Sequence, residues 1–374
     1  MSKEILLEVR NLVTEFKTDE ETVKAVNDVS FKLHRGETIG IVGESGSGKS
    51  VTALSAMKLI PSPPGKIVSG EIIYHSKNSG TVDLVKIPNS EMRKFRGNEI
   101  AMIFQEPMTS LNPVYTCGNQ VIEAIMLHKK INESDAKKQA IELFKKVQLP
   151  RPEAIFDTYP HQISGGQKQR VMIAMAMSCN PNILIADEPT TALDVTIQAQ
   201  ILELIKKLKV DTGTSVILIT HDLGVVAGMT DDIIVMYAGK VFEQAPTAEL
   251  FAAPGNPYTK GLLKSVPDPA HEEGTELYQI PGLPPDVAHL PPGCPFAERC
   301  YRVEDICRRD FPPFVQLNAE HFSLCHFAEE VYTQSLAERR ERDELIAADA
   351  DARPSENPEI LDAFENPSQG GTSR

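Results

Sequence analysis

The sequence predicts an α/β fold with a parallel sheet at its centre. Short apolar stretches that are typical of buried strands, such as "TIGIVG" from Thr38 and "SVILIT" from Ser215, alternate with longer stretches of helical spacing. The first of these strands runs into a glycine-rich loop, "GESGSGKS", and a helical pattern follows the loop directly. Strand, glycine loop and helix in this order form a phosphate-binding unit, so we expect nucleotide chemistry at this point of the fold.

The other elements follow in order along the chain. Two alternating stretches, "LLEVRNLVTEF" from Leu6 and "TVKAVNDVSFKL" from Thr22, suit an antiparallel layer. Two helical patterns without a strand between them occupy about Pro113 to Val147, which indicates a helical insertion. The core resumes with the strand "NILIADE", a helix and the strand "SVILITH". From Asn256 onward, prolines indicate an irregular, turn-rich module.

The length of 374 residues allows two or three domains. We predict a nucleotide-binding domain over residues 1–250, with a helical subdomain at about 106–165. A small module rich in cysteine and proline follows over 251–330, and a charged helix with an acidic tail over 331–374. The last twenty or so residues lack the apolar content needed to pack, so we expect them to be disordered.

Composition excludes several classes of protein. The net charge of −14 argues against nucleic-acid binding through a generally basic surface. No apolar run reaches the roughly 18 to 20 residues that span a bilayer, and the N-terminus lacks the features of a secretory signal. We therefore expect a cytoplasmic protein, in which cysteines are thiols or metal ligands rather than disulfides.

The loop "GESGSGKS", residues 43–50, fits the phosphate-loop pattern at every position. Its glycines let backbone N–H groups converge on phosphates, and the helix N-terminus adds partial positive charge. Lys49 would reach the β- and γ-phosphates, and the hydroxyl of Ser50 would ligate Mg²⁺. A glycine-rich connection without a ligand is the weaker interpretation.

Polar residues at three later strand ends are candidates for the same site. Asp187 and Glu188 end the strand "ILIAD", as expected for a Mg²⁺-orienting aspartate beside a carboxylate that acts as general base. His221 follows "SVILIT", and Gln105 ends the apolar stretch before it in "MIFQ". Taken singly, such residues are also found at solvated turns or in structural roles, but the phosphate loop upstream favours function.

A second glycine pair lies in "YPHQISGGQKQR", far from the phosphate loop. Ser164 is a good N-cap for the helix that follows, so the hydroxyl, the backbone N–H groups of Gly165 and Gly166 and the helix dipole could together face a phosphate. A tight turn that only caps a helix is the alternative. One nucleotide does not need two such loops, which suggests that the second loop serves a nucleotide held by another chain.

In this order and spacing, "GESGSGKS", Gln105-Glu106-Pro107, "ISGGQ", "ILIADEPTTALD" and "ITHD" resemble the motifs of the ATP-binding-cassette (ABC) ATPases, over about Leu6 to Gln244. The family pattern usually has leucine before SGGQ, where this sequence has Ile163, and this sequence also has extra residues before Val23. The resemblance implies a P-loop NTPase cassette with a RecA-like core, an antiparallel β subdomain and an α-helical subdomain. It also implies that two cassettes pair head to tail, each signature loop closing over ATP on the partner's phosphate loop.

The resemblance assigns roles residue by residue. The ATP-binding residues would be Phe16, Gly43, Glu44, Ser45, Gly46, Ser47, Gly48, Lys49, Ser50, Val51, Gln105, Asp187 and His221, with Phe16 stacking on adenine. The catalytic residues would be Glu188, His221 and Gln105, and Mg²⁺ would be bound by Ser50, Gln105 and Asp187. The residues facing the partner cassette would be Ser164, Gly165, Gly166, Gln167 and Asp194, while Gln105 would also couple the site to a membrane partner.

Further stretches, among them "FQEPMTSLNP", "GNPYTKGLL", "IPGLPP" and "PPGCPFAERC", are similar to the oligopeptide/dipeptide (and nickel) branch of the ABC importers, over about residues 4–328. This resemblance implies an ATPase peripheral to the cytoplasmic face of the membrane. Its partners would be a second homologous ATPase, two transmembrane permease subunits and an external substrate-binding protein. Selectivity resides in those subunits, so the chain does not identify its substrate.

Four cysteines, Cys294, Cys300, Cys307 and Cys325, fall within 32 residues with the spacing C-x5-C-x6-C-x17-C. Four buried thiols would explain them without a ligand, since zinc sites favour tighter pairs. Their clustering instead suits zinc, with His321 or His326 as substitute ligands, or an iron–sulfur cluster. The peptide-importer branch has a [4Fe–4S] cluster at matching cysteines, so the resemblance favours iron in a structural role.

Two other classes of protein compete with the transporter hypothesis. A cassette ATPase of DNA repair or translation would need basic surfaces or tandem cassettes, whereas this chain is acidic and has one cassette. A scaffold with an inactive cassette would lack Lys49 or Glu188, and both are present. Copurification with integral membrane subunits would distinguish a transporter ATPase from a repair or translation ATPase. ATP turnover would exclude the inactive scaffold.

Overall fold

The computed structural model describes residues 4–18, 20–77, 79–105, 110–266 and 278–352. Its strands are β1 (Ile5–Lys17), β2 (Thr22–His34), β3 (Thr38–Val42), β4 (Gly65–Ser76), β5 (Gly80–Asp83), β6 (Ile100–Ile103), β7 (Ile183–Asp187), β8 (Ser215–Thr220), β9 (Asp232–Tyr237), β10 (Lys240–Pro246), β11 (Phe314–Gln316) and β12 (Phe322–Leu324). The tail that the sequence predicts to be disordered lies outside these residues.

The helices in the described residues are α1 (Lys49–Ala56), α2 (Asn89–Phe95), α3 (Cys117–His128), α4 (Glu133–Lys146), α5 (Pro152–Phe156), α6 (Gly165–Ala176), α7 (Val195–Thr212), α8 (Leu223–Ala227), α9 (Thr247–Ala252), α10 (Pro257–Lys264), α11 (Asp305–Arg309) and α12 (Ala328–Ala352). Two short 3₁₀ helices are Pro160–Gln162 and Ala297–Arg299. Among all these described helices, none is long and apolar enough to cross a bilayer.

The strands form two sheets. The first is antiparallel, with the order β2-β1-β4-β5, and it contains both alternating stretches predicted from the N-terminal sequence. The second has the order β11-β12-β10-β9-β3-β8-β7-β6, in which β6, β7, β8, β3 and β9 run parallel. The sheets therefore separate local antiparallel pairing from the parallel core that carries the glycine loop.

The parallel core strands are buried along their whole length, which explains their continuous apolar sequence. Between the two sheets lies an apolar core that includes Leu12 of β1, Ile41 of β3 and Ala53 of α1. α1 is shorter than its helical pattern, because the chain leaves the helix at Met57 and Lys58 has a positive φ of 48°.

The predicted helical insertion consists of α3, α4 and α5, which pack with α6. Their shared core includes Val121, Phe144, Phe156 and Val171, all nearly inaccessible to solvent. Thr116 and Asn132 cap α3 and α4 by accepting hydrogen bonds from the backbone of the first turn. Because α6 also packs against α7, the insertion is connected to the core through the helix that begins at the second glycine pair.

The C-terminal residues extend the second sheet. β12 pairs antiparallel with β10 at Glu243 and Gln244, and β11 pairs with β12. An aromatic cluster joins Tyr237 and Phe242 of the cassette to Tyr258 of α10 and Phe296 of the cysteine-rich segment. The irregular, proline-rich chain thus packs on the cassette through both hydrogen bonds and a shared apolar core.

A buried polar network strengthens this junction. His321 is fully buried, with Nε2 2.7 Å from Glu243 Oε1 and Nδ1 3.1 Å from Glu249 Oε1. The hydroxyl of Tyr332 in α12 donates to Glu249 Oε1 at 3.0 Å. Burial by itself would lower the pKa of His321, but the hydrogen bonds and charges of the two glutamates raise it. The network therefore favours the protonated form of this buried imidazole, which lies between β10, α9 and α12.

Replacing His321 with glutamine should lower the free energy of unfolding most at mildly acidic pH. The imidazolium stabilises the fold fully below its ordinary pKa of 6.5, and this contribution is lost as the pH rises through the raised pKa of the folded state. Burial would raise the pKa of Glu249, but hydrogen bonds from His321, Tyr332 and Asn318 hold it below 4.5, so the carboxylate's contribution is lost only as the pH falls through that lower value.

The difference in Tm between wild type and His321→Gln, measured across the pH range, should therefore be largest between about pH 4.5 and 6.5 and should shrink at alkaline pH. His161→Gln, at an exposed histidine, is the matched control and should leave the profile unchanged. A loss of stability in His321→Gln that is independent of pH would contradict the assignment of a buried imidazolium.

Candidate nucleotide site

The glycine loop between β3 and α1 follows a path that glycine alone permits at two points. Gly43 has a φ of +147°, and a Cβ there would overlap the carbonyl oxygen of Met236. Gly48 has a φ of +99°, and a Cβ there would overlap the carbonyl oxygen of Ala25. Both positions combine a left-handed φ with close backbone contact, so any larger residue would displace the loop.

Lys49, at the start of α1, is folded back over this loop. Its ammonium donates to the carbonyl oxygens of Gly43 at 2.7 Å and Glu44 at 2.9 Å. Burial lowers the pKa of Lys49, and the nearby carboxylates of Glu188 and Asp187 oppose that shift. Gly48 offers no side-chain cap to α1, so the N–H groups of the first turn are free to face an anion.

A cavity of about 300 Å³ lies over the loop, within the usual size range of small-ligand sites. Its lining combines the loop backbone with the side chains of one amide and one carboxylate. The lining residues are Ala25, Ser45, Gly46, Ser47, Gly48, Lys49, Ser50, Val51, Gln105 and Glu188. The phosphate loop thus shares one cavity with Gln105 and Glu188, whose polar side chains could act on a bound phosphate.

Ser50 lines this cavity and contacts Asp187, which is not among the described lining residues. The hydroxyl of Ser50 donates to Asp187 Oδ1 at 3.0 Å, although the two residues lie on different elements. They come together because β7 and β3 flank β8 in the parallel sheet, and the loops after parallel strands meet at one edge. Burial raises the pKa of Asp187, and the hydrogen bond from Ser50 works against that rise.

Glu188 is held by three polar side chains. Its Oε2 accepts hydrogen bonds from Gln105 Nε2 at 2.9 Å and from the hydroxyl of Thr191 at 2.9 Å, and its Oε1 lies 3.2 Å from Nδ1 of His221. Residues from the ends of β6, β7 and β8 therefore converge on one carboxylate. The residues 106–109 that follow Gln105 lie outside the described part of the chain.

The backbone and charge of Glu188 are both unusual. Its φ is +44°, a left-handed conformation that costs energy for a residue with a Cβ and that recurs at functional sites. Burial would raise its pKa, but the hydrogen bonds from His221, Thr191 and Gln105 outweigh burial and hold the pKa below its ordinary value. The carboxylate is therefore ionised at neutral pH and able to accept a proton.

The second glycine pair lies elsewhere in the molecule. Ser164 caps α6, as its sequence position predicts: its hydroxyl accepts from the N–H of Gln167 at 3.3 Å, and the Gln167 side chain accepts from the N–H of Ser164 at 3.0 Å. Ser164 is exposed. Of the described residues that line the cavity over the phosphate loop, none belongs to this signature loop.

Two further predicted residues also lie away from the cavity. Phe16, near the end of β1, pairs with Val23 of β2 and packs against Gly65, and it is not among the described lining residues of the cavity. Asp194 caps α7, where its side chain accepts from the N–H of Ile197 at 3.0 Å. Their proposed roles would therefore depend on ligands or partners that approach from outside this cavity.

Sequence reasoning missed several contacts to the site. Thr191, three residues after Glu188, bonds its carboxylate, and its place in a turn offers a weak signal for that contact. Arg299 and Tyr258 bond Glu44 of the phosphate loop from the C-terminal side, at distances of 2.6–3.0 Å. Nothing in their local sequence indicates a contact more than two hundred positions away.

The four clustered cysteines converge on a second cavity, which is mainly apolar. Cys294, Cys300, Cys307 and Cys325 all line it, together with Phe242 and Phe296. Backbone N–H groups of Arg302 and Phe327 donate to the sulfurs of Cys300 and Cys325, each at 3.3 Å. Burial raises the pKa of Cys294 and of Cys325 to about 12 each.

The two histidines considered as substitute ligands differ in position. His326 lines the thiol cavity, whereas His321 lies in the buried network with the two glutamates. Within the described ranges, no group of three or more His, Cys, Asp or Glu side chains has the geometry to hold a metal ion.

Comparisons with known proteins match both parts of the chain. Residues 26–191 match the family described as ABC transporter, and residues 242–307 match the family described as oligopeptide/dipeptide transporter, C-terminal region. The oligopeptide transport ATP-binding protein OppD of Bacillus subtilis (strain 168) is 50% identical over 317 residues, which cover 85% of this chain and 87% of OppD. The dipeptide transport ATP-binding protein DppD of the same organism is 52% identical over 309 residues, covering 83% of this chain and 90% of DppD.

Among solved structures, the fold is similar to the dimeric post-hydrolysis state of the ATP-binding cassette MJ0796 bound to ADP and Pi. The TM-score is 0.57 and the sequence identity 30%, covering 64% of this chain and 98% of that chain. These matches confirm the predicted class, a P-loop ABC cassette with ATPase activity. The chain belongs to the ABC transporter ATP-binding proteins of the oligopeptide/dipeptide importer family.

Proposed function

We propose that this ATPase hydrolyses ATP with Glu188 as the general base and that hydrolysis drives import of peptides. The observation that carries the proposal is the position of the Glu188 carboxylate: it lines the cavity over the phosphate loop, is ionised at neutral pH and is fixed by three hydrogen-bonding side chains. An oriented carboxylate there can take a proton from water as the water attacks the γ-phosphate. Lys49 binds the phosphates, and His221 contacts the γ-phosphate beside the base.

Mg²⁺ would be bound by Ser50, Asp187 and Gln105. The 3.0 Å contact between the Ser50 hydroxyl and the Asp187 carboxylate brings two oxygen donors together, which suits a hard cation that prefers oxygen ligands and completes its shell with phosphate and water. When bound, the ion neutralises charge on the β- and γ-phosphates. Phe16, near the C-terminal end of β1, would stack on the adenine.

The ATP site would be completed by a second cassette. Ser164, Gly165, Gly166 and Gln167 combine an exposed hydroxyl with the N-terminus of the twelve-residue helix α6, and they lie outside the cavity over their own phosphate loop. A second, homologous ATPase that presents the same loop would supply the missing donors to this chain's ATP, and this chain would do the same in return. Asp194 would then face the partner.

The two cassettes would work beneath two transmembrane permease subunits, at the cytoplasmic face of the membrane, with an external binding protein that delivers the substrate. The support is the match of residues 242–307 to the C-terminal region of oligopeptide/dipeptide transporters, and the high identity to OppD and DppD over most of both chains. Gln105, which bonds the catalytic carboxylate, would couple the permeases to the site. The nucleotide-binding domain would end at residue 250 and the C-terminal module at residue 330.

We further propose that Cys294, Cys300, Cys307 and Cys325 hold a [4Fe–4S] cluster with a structural role. The proposal is supported by the four thiols that line one mainly apolar cavity and by the backbone N–H groups that donate to two of the sulfurs, since such hydrogen bonds stabilise thiolates bound to iron. The cluster would bind the irregular segments around these cysteines to one another. Zinc at the same thiols is the competing outcome.

Glu188→Gln should bind MgATP yet hydrolyse it slowly, because the base is removed while the phosphate and metal contacts remain. In the assembled transporter kcat should fall by roughly a hundredfold or more, the usual contribution of a general base. Lys49→Ala should instead weaken nucleotide binding. Glu142→Gln, at an exposed glutamate of α4, is the matched control and should keep wild-type turnover. Wild-type turnover by Glu188→Gln would show that another group is the base.

Ser164→Ala should impair the ATP bound to the partner's phosphate loop rather than the one bound at Lys49. Photolabelling with an azido-ATP analogue, read separately on each cassette, should show a weaker label on the partner alone. Thr116→Ala removes a comparable cap from α3 and controls for the loss of a helix cap. A crosslink that places Ser164 beside its own chain's nucleotide would rule out the exchange of loops.

Protein purified anaerobically should be brown and contain about four iron and four sulfide per chain. Cys300→Ser should lower the iron content, whereas Cys179→Ser, at a cysteine outside the cluster segment, should not. Colourless protein with one zinc per chain would replace the cluster with a zinc site. If the protein is metal-free and fully folded, the four cysteines are buried thiols without a ligand.

A further inference from the structure

Glu44, the second residue of the phosphate loop, is held from the C-terminal side by three hydrogen bonds. Its carboxylate accepts from Arg299 at both oxygens, Nη1 to Oε2 at 2.6 Å and Nη2 to Oε1 at 2.8 Å. Its backbone N–H donates to the hydroxyl of Tyr258 at 3.0 Å. Both backbone and side chain of one loop residue are therefore fixed by residues more than two hundred positions away.

Arg299 is almost fully buried, although it is always charged. Besides Glu44, its guanidinium donates to the carbonyl of Pro281 at 3.0 Å and to the hydroxyl of Tyr237 at 3.2 Å. The rings of Tyr237 and Phe296 lie 5.8 Å from the guanidinium carbon. A planar fork with this many fixed partners has one available geometry, which a lysine could not reproduce.

Arg299 is connected to the residues that line the thiol cavity. Arg299 immediately precedes Cys300 and ends the 3₁₀ helix Ala297–Arg299, while Phe296 lines the cavity and packs against Tyr258 at 5.2 Å between ring centres. Asn256 provides a second connection: its Nδ2 donates to the carbonyl of Leu324, the residue before Cys325, at 3.2 Å, and its Oδ1 accepts from the N–H of Tyr258.

A displacement of Glu44 would also displace the groups that bind phosphate, because Glu44 is hydrogen-bonded to them. The carbonyl of Glu44 accepts from Lys49 Nζ at 2.9 Å and from the N–H of Ser47 at 3.3 Å. Arg299 therefore contacts a residue whose backbone contacts the phosphate-binding lysine, and it makes no contact with the cavity over the loop among the described lining residues. This is the geometry of a residue that acts through another.

We propose that Arg299 is a positioning residue for the phosphate loop, which it holds through Glu44 so that the loop is shaped for ATP. The proposal deepens the proposed function, since it rests on ATP binding at Lys49. The cysteine-rich segment would thereby set the nucleotide affinity of the cassette in its own chain. This role would be separate from any contribution of the four cysteines to the stability of the segment.

The test compares Arg299→Ala, Arg299→Lys and Glu44→Gln in the full-length chain, by titration with a fluorescent ATP analogue and Mg²⁺. Loss of a charge-assisted, two-oxygen contact should raise the Kd of Arg299→Ala about tenfold. Arg299→Lys keeps the charge without the fork and should give a smaller increase. Arg308→Ala is the matched control, because Arg308 forms an exposed ion pair with Glu298 in the same segment.

Two readouts separate positioning from simple stabilisation. In the assembled transporter, Arg299→Ala should raise KM for ATP more than it lowers kcat. The double variant Arg299→Ala/Glu44→Gln should bind ATP no more weakly than the weaker single variant, because both changes break the same contact. Thermal unfolding of each variant reports whether it folds, and if Arg299→Ala fails to fold, Glu44→Gln carries the test, because this carboxylate is partly exposed.

A folded Arg299→Ala chain with wild-type Kd and KM would overturn the proposal, as would additive effects in the double variant. Failure of the proposed function itself has a different signature: the wild-type chain would then bind the ATP analogue no better than Lys49→Ala does.

Discussion

The parallel pairing of β3, β8 and β7 is the constraint on which the rest of the nucleotide site depends. Val42 pairs with Thr220, and Asp187 pairs with Ile219, so the three strands end at the same level. The loops that follow them are thereby brought to one edge, which puts the phosphate loop, the acid pair and His221 side by side. If one of these strands slipped by one residue, its side chains would turn to the opposite face of the sheet and these groups would separate.

That edge concentrates charges of both signs in a partly buried place, where Lys49 and the carboxylates stabilise one another while the charge of Glu188 further raises the pKa of Asp187. Burial raises the pKa of Asp187 and lowers that of Lys49, but their proximity opposes both shifts. Burial would raise the pKa of Glu188, but hydrogen bonds from His221 and Thr191, the charge of His221 and the hydrogen bond from Gln105 together lower it. The site is therefore one coupled group of charges and hydrogen bonds, and no member has the properties that it would have alone.

The sequence predicted what local chemistry determines and missed what distant contacts determine. The glycine loop, the strand-end acids and the cap at Ser164 each depend on neighbours a few positions away. In the structure, the loop joins a strand to a helix, the acids follow β7 and Ser164 caps α6, as the sequence predicts. β11 and β12 were missed because three-residue strands among prolines carry no periodicity. The contact between Arg299 and Glu44 spans 255 positions and depends on how the cysteine-rich segment packs, which no local pattern encodes.

The pairing of β12 with β10 has a consequence for the stability of the cassette in solution. β10 would otherwise be the last strand of the eight-stranded sheet on that side, with a row of unpaired N–H and C=O groups open to other chains. The C-terminal residues close this edge with two very short strands, of which β11 is largely exposed and only three residues long. A cassette cut after β10 would expose this row of groups, and an open strand edge is a template for pairing with another chain.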